Sequence, residues 1–334
     1  MPKYKESGVD FDSVGNFRNA IIKELSFEGT KYKRATEIGH YSGLISFLGN
    51  FIAIHTDNVG TKSIMALKHH YFEQIGYDLV GMNVNDVICM GAEPMGMVNY
   101  IAGSMLGEES GKTIGRSIND ACREAGISMV GGETASVPDL VKGIDISGTV
   151  IGYLEKGKEI TGNRIRERDR VIGLASNGVH SNGFSLIRKI YEGREHILEG
   201  EFEGEIFWKR LLKGTKIYSK KLSELIQEFD IHGISHITGG GIRNLLRLKD
   251  TRFRLSFPEI PELFRKIITD GGISNQEAFE VFNMGIGMVV VSPSKEADAI
   301  IQELREFNPV YLGEVGVGKG ISIDNYGVRY GSYY

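Results

Sequence analysis

The stretch Phe51 to Lys62, FIAIHTDNVGTK, brings together groups that could handle a metal ion and a polyphosphate. Four apolar residues, Phe51 to Ile54, make a run long enough for a buried strand and too short for most helices. The run breaks into a polar turn, Asp57-Asn58-Val59-Gly60-Thr61-Lys62, that offers a carboxylate, a hydroxyl and an ammonium. A carboxylate at a strand end, with backbone N–H groups and a lysine just beyond, could hold Mg²⁺ and phosphates together. The same stretch reads equally as a strand followed by an ordinary turn, because Asp, Asn and Gly are common turn formers. Two further acidic positions extend the first reading: Asp86 in NVND and Glu133 in GGET. Asp86 lies in an apolar helical pattern, where an ionised group is costly unless paired. Three carboxylates brought together would repel one another without a cation. Asp57, Asp86 and Glu133 are therefore the candidate metal ligands.

The second half holds stretches suited to binding an anion. His180-Ser181-Asn182-Gly183 precedes an apolar helical pattern, and the free N–H groups at such a helix start can hold a phosphate. Capping alone explains Ser or Asn there as well. Thr238-Gly239-Gly240-Gly241 has the same character, as glycines let a backbone approach an anion closely or simply turn. His180 and His236 are the histidines with candidate roles in proton transfer or substrate binding, although a single histidine is more often structural.

These residues need a scaffold that alternates strands and helices. Apolar spacing predicts a helix over Asp12 to Phe27, a strand pair or glycine-bearing loop over Ile38 to Phe51, and a helix over Tyr71 to Met90 that carries polar Asp78, Asn83, Asn85 and Asp86. Strands follow at Met95 to Ala102, Ile127 to Val130 and Asp145 to Leu154, with a helix over Gly111 to Ala125. Charged, glycine-bearing residues from Lys156 to Asp169 mark a domain boundary, giving domains 1–158 and 159–334. Beyond it, strands are predicted at Arg170 to Ser176, Phe253 to Phe257, Gly285 to Ser292 and Val310 to Val315. One long amphipathic helix or a pair of them should cover Ile206 to Phe229. The fold class is α/β (α+β) in two domains.

Bulk properties limit the functions available. The chain has 334 residues, 41% hydrophobic and 25% charged, as in an ordinary globular protein. With 39 Lys+Arg against 43 Asp+Glu, nothing points to a nucleic-acid or anionic-membrane partner. No stretch reaches the ~18 apolar residues of a membrane span. The start, MPKYKESGVDFD, is polar and does not read as a signal peptide. Cys89 and Cys122 sit in apolar patterns without CxxC spacing and read as buried thiols in a reducing compartment, so a cytoplasmic location is expected.

DNVGTK, NVNDVICMGAEP and GGETASVP, in that order, resemble the ATP-binding half of the aminoimidazole ribonucleotide synthetase superfamily. YKESGVDFD, NGVHSNGFSLIRKIYE, SHITGGGIRNLLR and FNMGIGMVVVS are similar to the synthetase family itself, and the likeness covers nearly the whole chain from Tyr4. The resemblance implies an ATP-dependent ring closure of formylglycinamidine ribonucleotide to 5-aminoimidazole ribonucleotide, with ADP and phosphate released. It places ATP and Mg²⁺ groups on Asp57, Thr61, Lys62, Asn85, Asp86 and Glu133, with Asp57, Lys62, Asp86 and His236 as catalytic residues. Substrate falls to His180, Ser181, Asn182, Gly183, Thr238, Gly239 and Gly240. It also implies a homodimer whose mixed N-terminal sheet is completed across subunits. The chain departs from the family pattern in a glycine-poor loop, His40-Tyr41-Ser42-Gly43-Leu44, and in Asn99-Tyr100 where Asp-Tyr is usual. A sister small-molecule kinase or selenophosphate synthetase would share the N-terminal chemistry, and a nucleotide-binding maturation scaffold is the non-enzymatic alternative. The selenophosphate enzyme is disfavoured because no cysteine precedes Cys89.

Overall fold

The computed structural model describes residues 11–104 and 107–332, so most of the YKESGVDFD stretch lies outside the described residues. The apolar run at 51–54 forms the middle of the first sheet. Strand β1 (Gly43–Phe47) and strand β2 (Asn50–Asn58) make a hairpin through Leu48 and Gly49, both at positive φ, the pattern of a tight two-residue turn. Helix α1 (Phe11–Glu24) precedes them. After β2 come α2 (Lys62–Lys68), α3 (Ile75–Ile88), β3 (Glu93–Gly103), α4 (Glu108–Ala125), β4 (Ser128–Ser136) and β5 (Ile144–Leu154). The sheet order is β1-β2-β5-β3-β4, parallel between β3 and β4 and antiparallel elsewhere.

Helix α3 is the centre of the molecule. It is apolar nearly all round, and a helix of that kind must be covered on every side. Leu79, Val80, Val84, Val87 and Ile88 are fully buried against the sheet, α4 and the second half of the chain. Gly76 permits the α4 contact: a Cβ there would lie 2.2 Å from the Ile118 nitrogen.

The second half builds a seven-stranded sheet from β6 (Arg170–Ala175), β9 (Gly233–His236), β10 (Arg252–Leu255), β11 (Ile286–Ser292), β12 (Val310–Gly316), β13 (Gly320–Ile323) and β14 (Val328–Tyr330). A separate hairpin joins β7 (Glu201–Phe202) to β8 (Glu205–Ile206). The large sheet runs β14-β13-β10-β12-β6-β11-β9, and β11, buried along its whole length, sits between β6 and β9. Helix α5 (Phe184–Ile190) follows the HSNG stretch. The helical pattern of 206–229 is broken into two helices, Phe207–Leu211 and Ser219–Glu228. Among the described residues no helix is long and apolar enough to cross a membrane.

Candidate active site

Period-two alternation along β2 turns Phe51, Ala53, His55 and Asp57 toward α3. The Asn83 side chain, one turn before Asp86 on α3, clasps the strand end: its Oδ1 accepts from the Asp57 N–H at 3.0 Å. Asp57 and Asp86 thus meet between β2 and α3. Burial first, and the Asp86 charge second, raise the Asp57 carboxyl above its ordinary range. Burial would raise Asp86 too, but His55 and the hydrogen bond from His236 outweigh it and hold Asp86 low. An ionised Asp86 only accepts, so His236 Nδ1–H is the donor at 2.8 Å. His55 Nε2 lies 3.6 Å from the other Asp86 oxygen.

Glu133 does not join them. The register aligns Asp57, Gly148, Asn99 and Gly132 in one row across the sheet, and Asn58, Ser147, Tyr100 and Glu133 in the next. Successive residues on a strand point to opposite faces, so Glu133 lies on the other side of the sheet from Asp57. Three strand spacings add a lateral separation of about 14 Å. Its carboxylate is exposed and accepts from the Thr134 N–H. Among the described residues no set of three His, Cys, Asp or Glu forms a metal cage.

Lys62 is also not where a triphosphate could meet it. Its side chain is fully buried, with Nζ 2.9 and 2.7 Å from the two Asp78 oxygens and donating to the carbonyls of His180 and Lys213. Asp78 Oδ1 further accepts from Ser181 Oγ and from the N–H and hydroxyl of Thr215. Burial lowers the Lys62 ammonium and raises the Asp78 carboxyl, with each partner offsetting part of the other's shift. This cluster ties α2 and α3 to the second half. Asn85 has a similar use, since its amide donates to the Lys216 carbonyl and accepts from the Tyr218 N–H. The Thr61 hydroxyl lies 3.1 Å from that of Ser185, on the same seam.

The two candidate anion loops do converge. A Cβ on Gly239 would lie 3.1 Å from Asn182 Oδ1, so the loop after β9 faces the HSNG stretch directly. Thr238 and Gly239 are partly exposed at this junction. Gly183 and Gly240 adopt positive φ, and a Cβ on Gly183 would lie 2.3 Å from the Phe282 ring. A branched residue at 183 therefore breaks packing, and Asn182 is the side chain in this loop that can report on a ligand. His180 is buried at φ +62°, and burial, then His236, Lys62 and Lys216, push its imidazole well below the usual range. It is a neutral core group. His236 is fully buried as well and acts on Asp86.

The family model described as AIR synthase related protein, N-terminal domain, matches residues 39–154, and its C-terminal counterpart matches residues 166–324. The chain belongs to the AIR synthase family. A family relative from Pyrococcus furiosus, named phosphoribosylformylglycinamidine cyclo-ligase, is 42% identical over 99% of this chain and 100% of its own length. Solved structures share the AIR synthase fold at lower identity. A chain of the HypE–HypF complex superposes with a TM-score of 0.70 at 21% identity, covering 95% of this chain and 97% of that one. Hydrogenase maturation protein HypE in complex with ATP gives 0.64 at 21% identity, covering 84% and 83%.

Asp78 and Asn83 are the AIR synthase-fold residues whose roles the sequence left unassigned. Their signal was polarity inside an otherwise apolar helix, which marks burial with partners as readily as it marks a ligand.

Proposed function

We infer that this chain catalyses the ATP-dependent closure of formylglycinamidine ribonucleotide to 5-aminoimidazole ribonucleotide, with release of ADP and phosphate. The observation that carries this reading is the 42% identity to a cyclo-ligase along the full length of both chains. The maturation proteins are too distant in sequence to carry more than the fold.

An amide oxygen is a poor leaving group, and phosphorylation turns it into one that an internal amidine nitrogen can displace. The protein's task is then to align the two substrates and balance phosphoryl charge. Residues 1–158 would bind nucleotide and residues 159–334 the amidine, meeting where α3 packs on β9. Asp57 and Asp86 suit a divalent cation: desolvation and the Asp86 charge raise the cost of ionising Asp57, which a cation held by the two carboxylates would relieve. Mg²⁺ bound there would neutralise charge on the phosphates being transferred. His236 and His55 keep Asp86 ionised and aimed. Asn182, Thr238, Gly239 and Gly240 would receive the ribose 5-phosphate. Lys62 is a positioning residue in this reading, and Glu133 serves no cation site within its own chain.

The test follows the departing atom. Substrate carrying heavy oxygen at the formyl group should place one labelled oxygen in phosphate for each imidazole formed. Unlabelled phosphate would mean that water, not the amide, takes the phosphoryl group, and the cyclisation reading would be lost. A kinase would leave the phosphoryl group on its organic product.

A homodimer accounts for the outer face of the first sheet. Ile54, Val98, Tyr100, Ile151 and Tyr153 are each about two-fifths exposed there, on adjacent strands. A contiguous apolar face of this kind marks an interface. Light scattering at micromolar concentration is expected to find twice the 36.9 kDa chain mass. Ile54→Asp combined with Ile151→Asp should give monomer. Wild-type protein running as a monomer would contradict the assignment.

A further inference from the structure

Tyr41 belongs to the segment leading into β1, yet its side chain is buried in the second half, at 1% exposure. Its hydroxyl donates to the Asn244 carbonyl at 2.9 Å. A phenol has one proton to give, so Ser235 Oγ is the donor in their 2.5 Å contact. The Arg247 guanidinium lies 4.1 Å from the centre of the Tyr41 ring. The next residue, Ser42, donates its hydroxyl to the Asp86 carbonyl at 3.2 Å. On the far side, the Asn244 side-chain amide donates to the carbonyls of Gly239 at 3.2 Å and Gly241 at 2.9 Å. A continuous chain of contacts thus runs from Asp86 through Ser42, Tyr41 and Asn244 to the glycine loop opposite Asn182.

We propose that Tyr41 and Asn244 are positioning residues that couple the two ends of the site, so that amidine bound at the glycine loop tightens nucleotide binding near Asp86, and the reverse. The inference rests on the placement of the two substrates given above. Gly239 and Gly241 have wide conformational freedom, so whatever holds their carbonyls sets the loop's position. The Asn244 amide holds Gly239, and the Tyr41 hydroxyl holds Asn244. A ligand that shifts or fixes the loop therefore acts on the segment that Ser42 ties to the Asp86 backbone. A buried, fully partnered network transmits such a change better than a solvated one. Because coupling between binding sites is reciprocal, one measurement reads it in both directions.

Calorimetry on the full chain with a non-hydrolysable ATP analogue and Mg²⁺ tests this, with and without the amidine. In wild type the amidine should tighten analogue binding at least about fivefold. Tyr41→Phe keeps the ring and its Arg247 contact while removing one hydroxyl. It should reduce the effect to less than about twofold, with each ligand alone binding within about threefold of wild type. Asn244→Asp removes the donors to Gly239 and Gly241 and should do the same from the other side. Ser235→Ala leaves the Tyr41–Asn244 bond in place and should retain the coupling. A merely structural role would lower the melting temperature of the first two variants with the ratio unchanged, and that result overturns the proposal. A wild-type ratio of one overturns it too. Failure of the wild type to bind the amidine at all would instead overturn the functional reading beneath it.

Discussion

Lys62→Met is expected to destabilise the protein by about 3–5 kcal/mol, the cost of leaving one member of a buried ion pair without its partner. The size of the effect comes from the surroundings of Asp78. Its carboxylate is sealed from solvent between α3 and the second half, where only the hydroxyl and N–H donors of Ser181 and Thr215 would remain. Those neutral donors solvate a charge less well than an ammonium does. The variant also strips the donor from the carbonyls of His180 and Lys213. His180 holds a positive φ that only a well-determined surrounding maintains. In urea, a slope of about 3 kcal/mol/M makes this a drop of roughly 1–2 M in the unfolding midpoint. Adding Asp78→Asn to Lys62→Met removes the orphaned charge and should recover part of the loss. The pair's interaction is then read from the cycle of single and double variants. A Lys62→Met protein with wild-type midpoint and a raised KM for ATP would return Lys62 to the triphosphate and refute the seam assignment.

The Lys62 case shows where sequence reading stops. DNVGTK has the composition of a phosphate loop, and composition alone does not say which way a lysine side chain leaves its helix. In α2 it turns inward to Asp78, sixteen positions later, whose place in an apolar helix was visible but whose partner was not. Glu133 is parted from Asp57 and Asp86 within the chain for a different reason. GGET was legible as the end of a strand, but one residue of register decides which face a strand side chain joins. The structure gives the inward place to Gly132. What was legible rests on periodicity. The 51–54 run became β2, the helical pattern of 71–90 with its polar insertions became the buried α3, and 285–292 became the fully buried β11. Of the single helix or the pair allowed across 206–229, the pair forms, and in the gap between the two helices Thr215 spends its N–H and hydroxyl on Asp78. Strands β13 and β14, of four and three residues, are too short to carry a period of their own.

Asp86→Asn should lower turnover on the order of a thousandfold while leaving the fold intact. Cation stabilisation of a phosphoryl group in transfer is worth several kcal/mol, and about 1.4 kcal/mol corresponds to a tenfold change in rate. Removing one of two candidate ligand charges forfeits a large part of that. Space is not at issue, because the amide matches the carboxyl in shape and its oxygen can still accept from His236 Nδ1–H. The backbone carbonyl that receives the Ser42 hydroxyl is unchanged. Melting within a few degrees of wild type is therefore expected, in contrast to Lys62→Met. The Mg²⁺ concentration for half-maximal activity should rise as well, since Asp57 alone would hold the cation less tightly. His236→Gln supplies the comparison: it keeps a donor beside Asp86 but not the imidazole, and should cost less than Asp86→Asn if His236 acts only through that carboxylate. Wild-type turnover with an unchanged Mg²⁺ dependence in Asp86→Asn would remove Asp86 from the reaction.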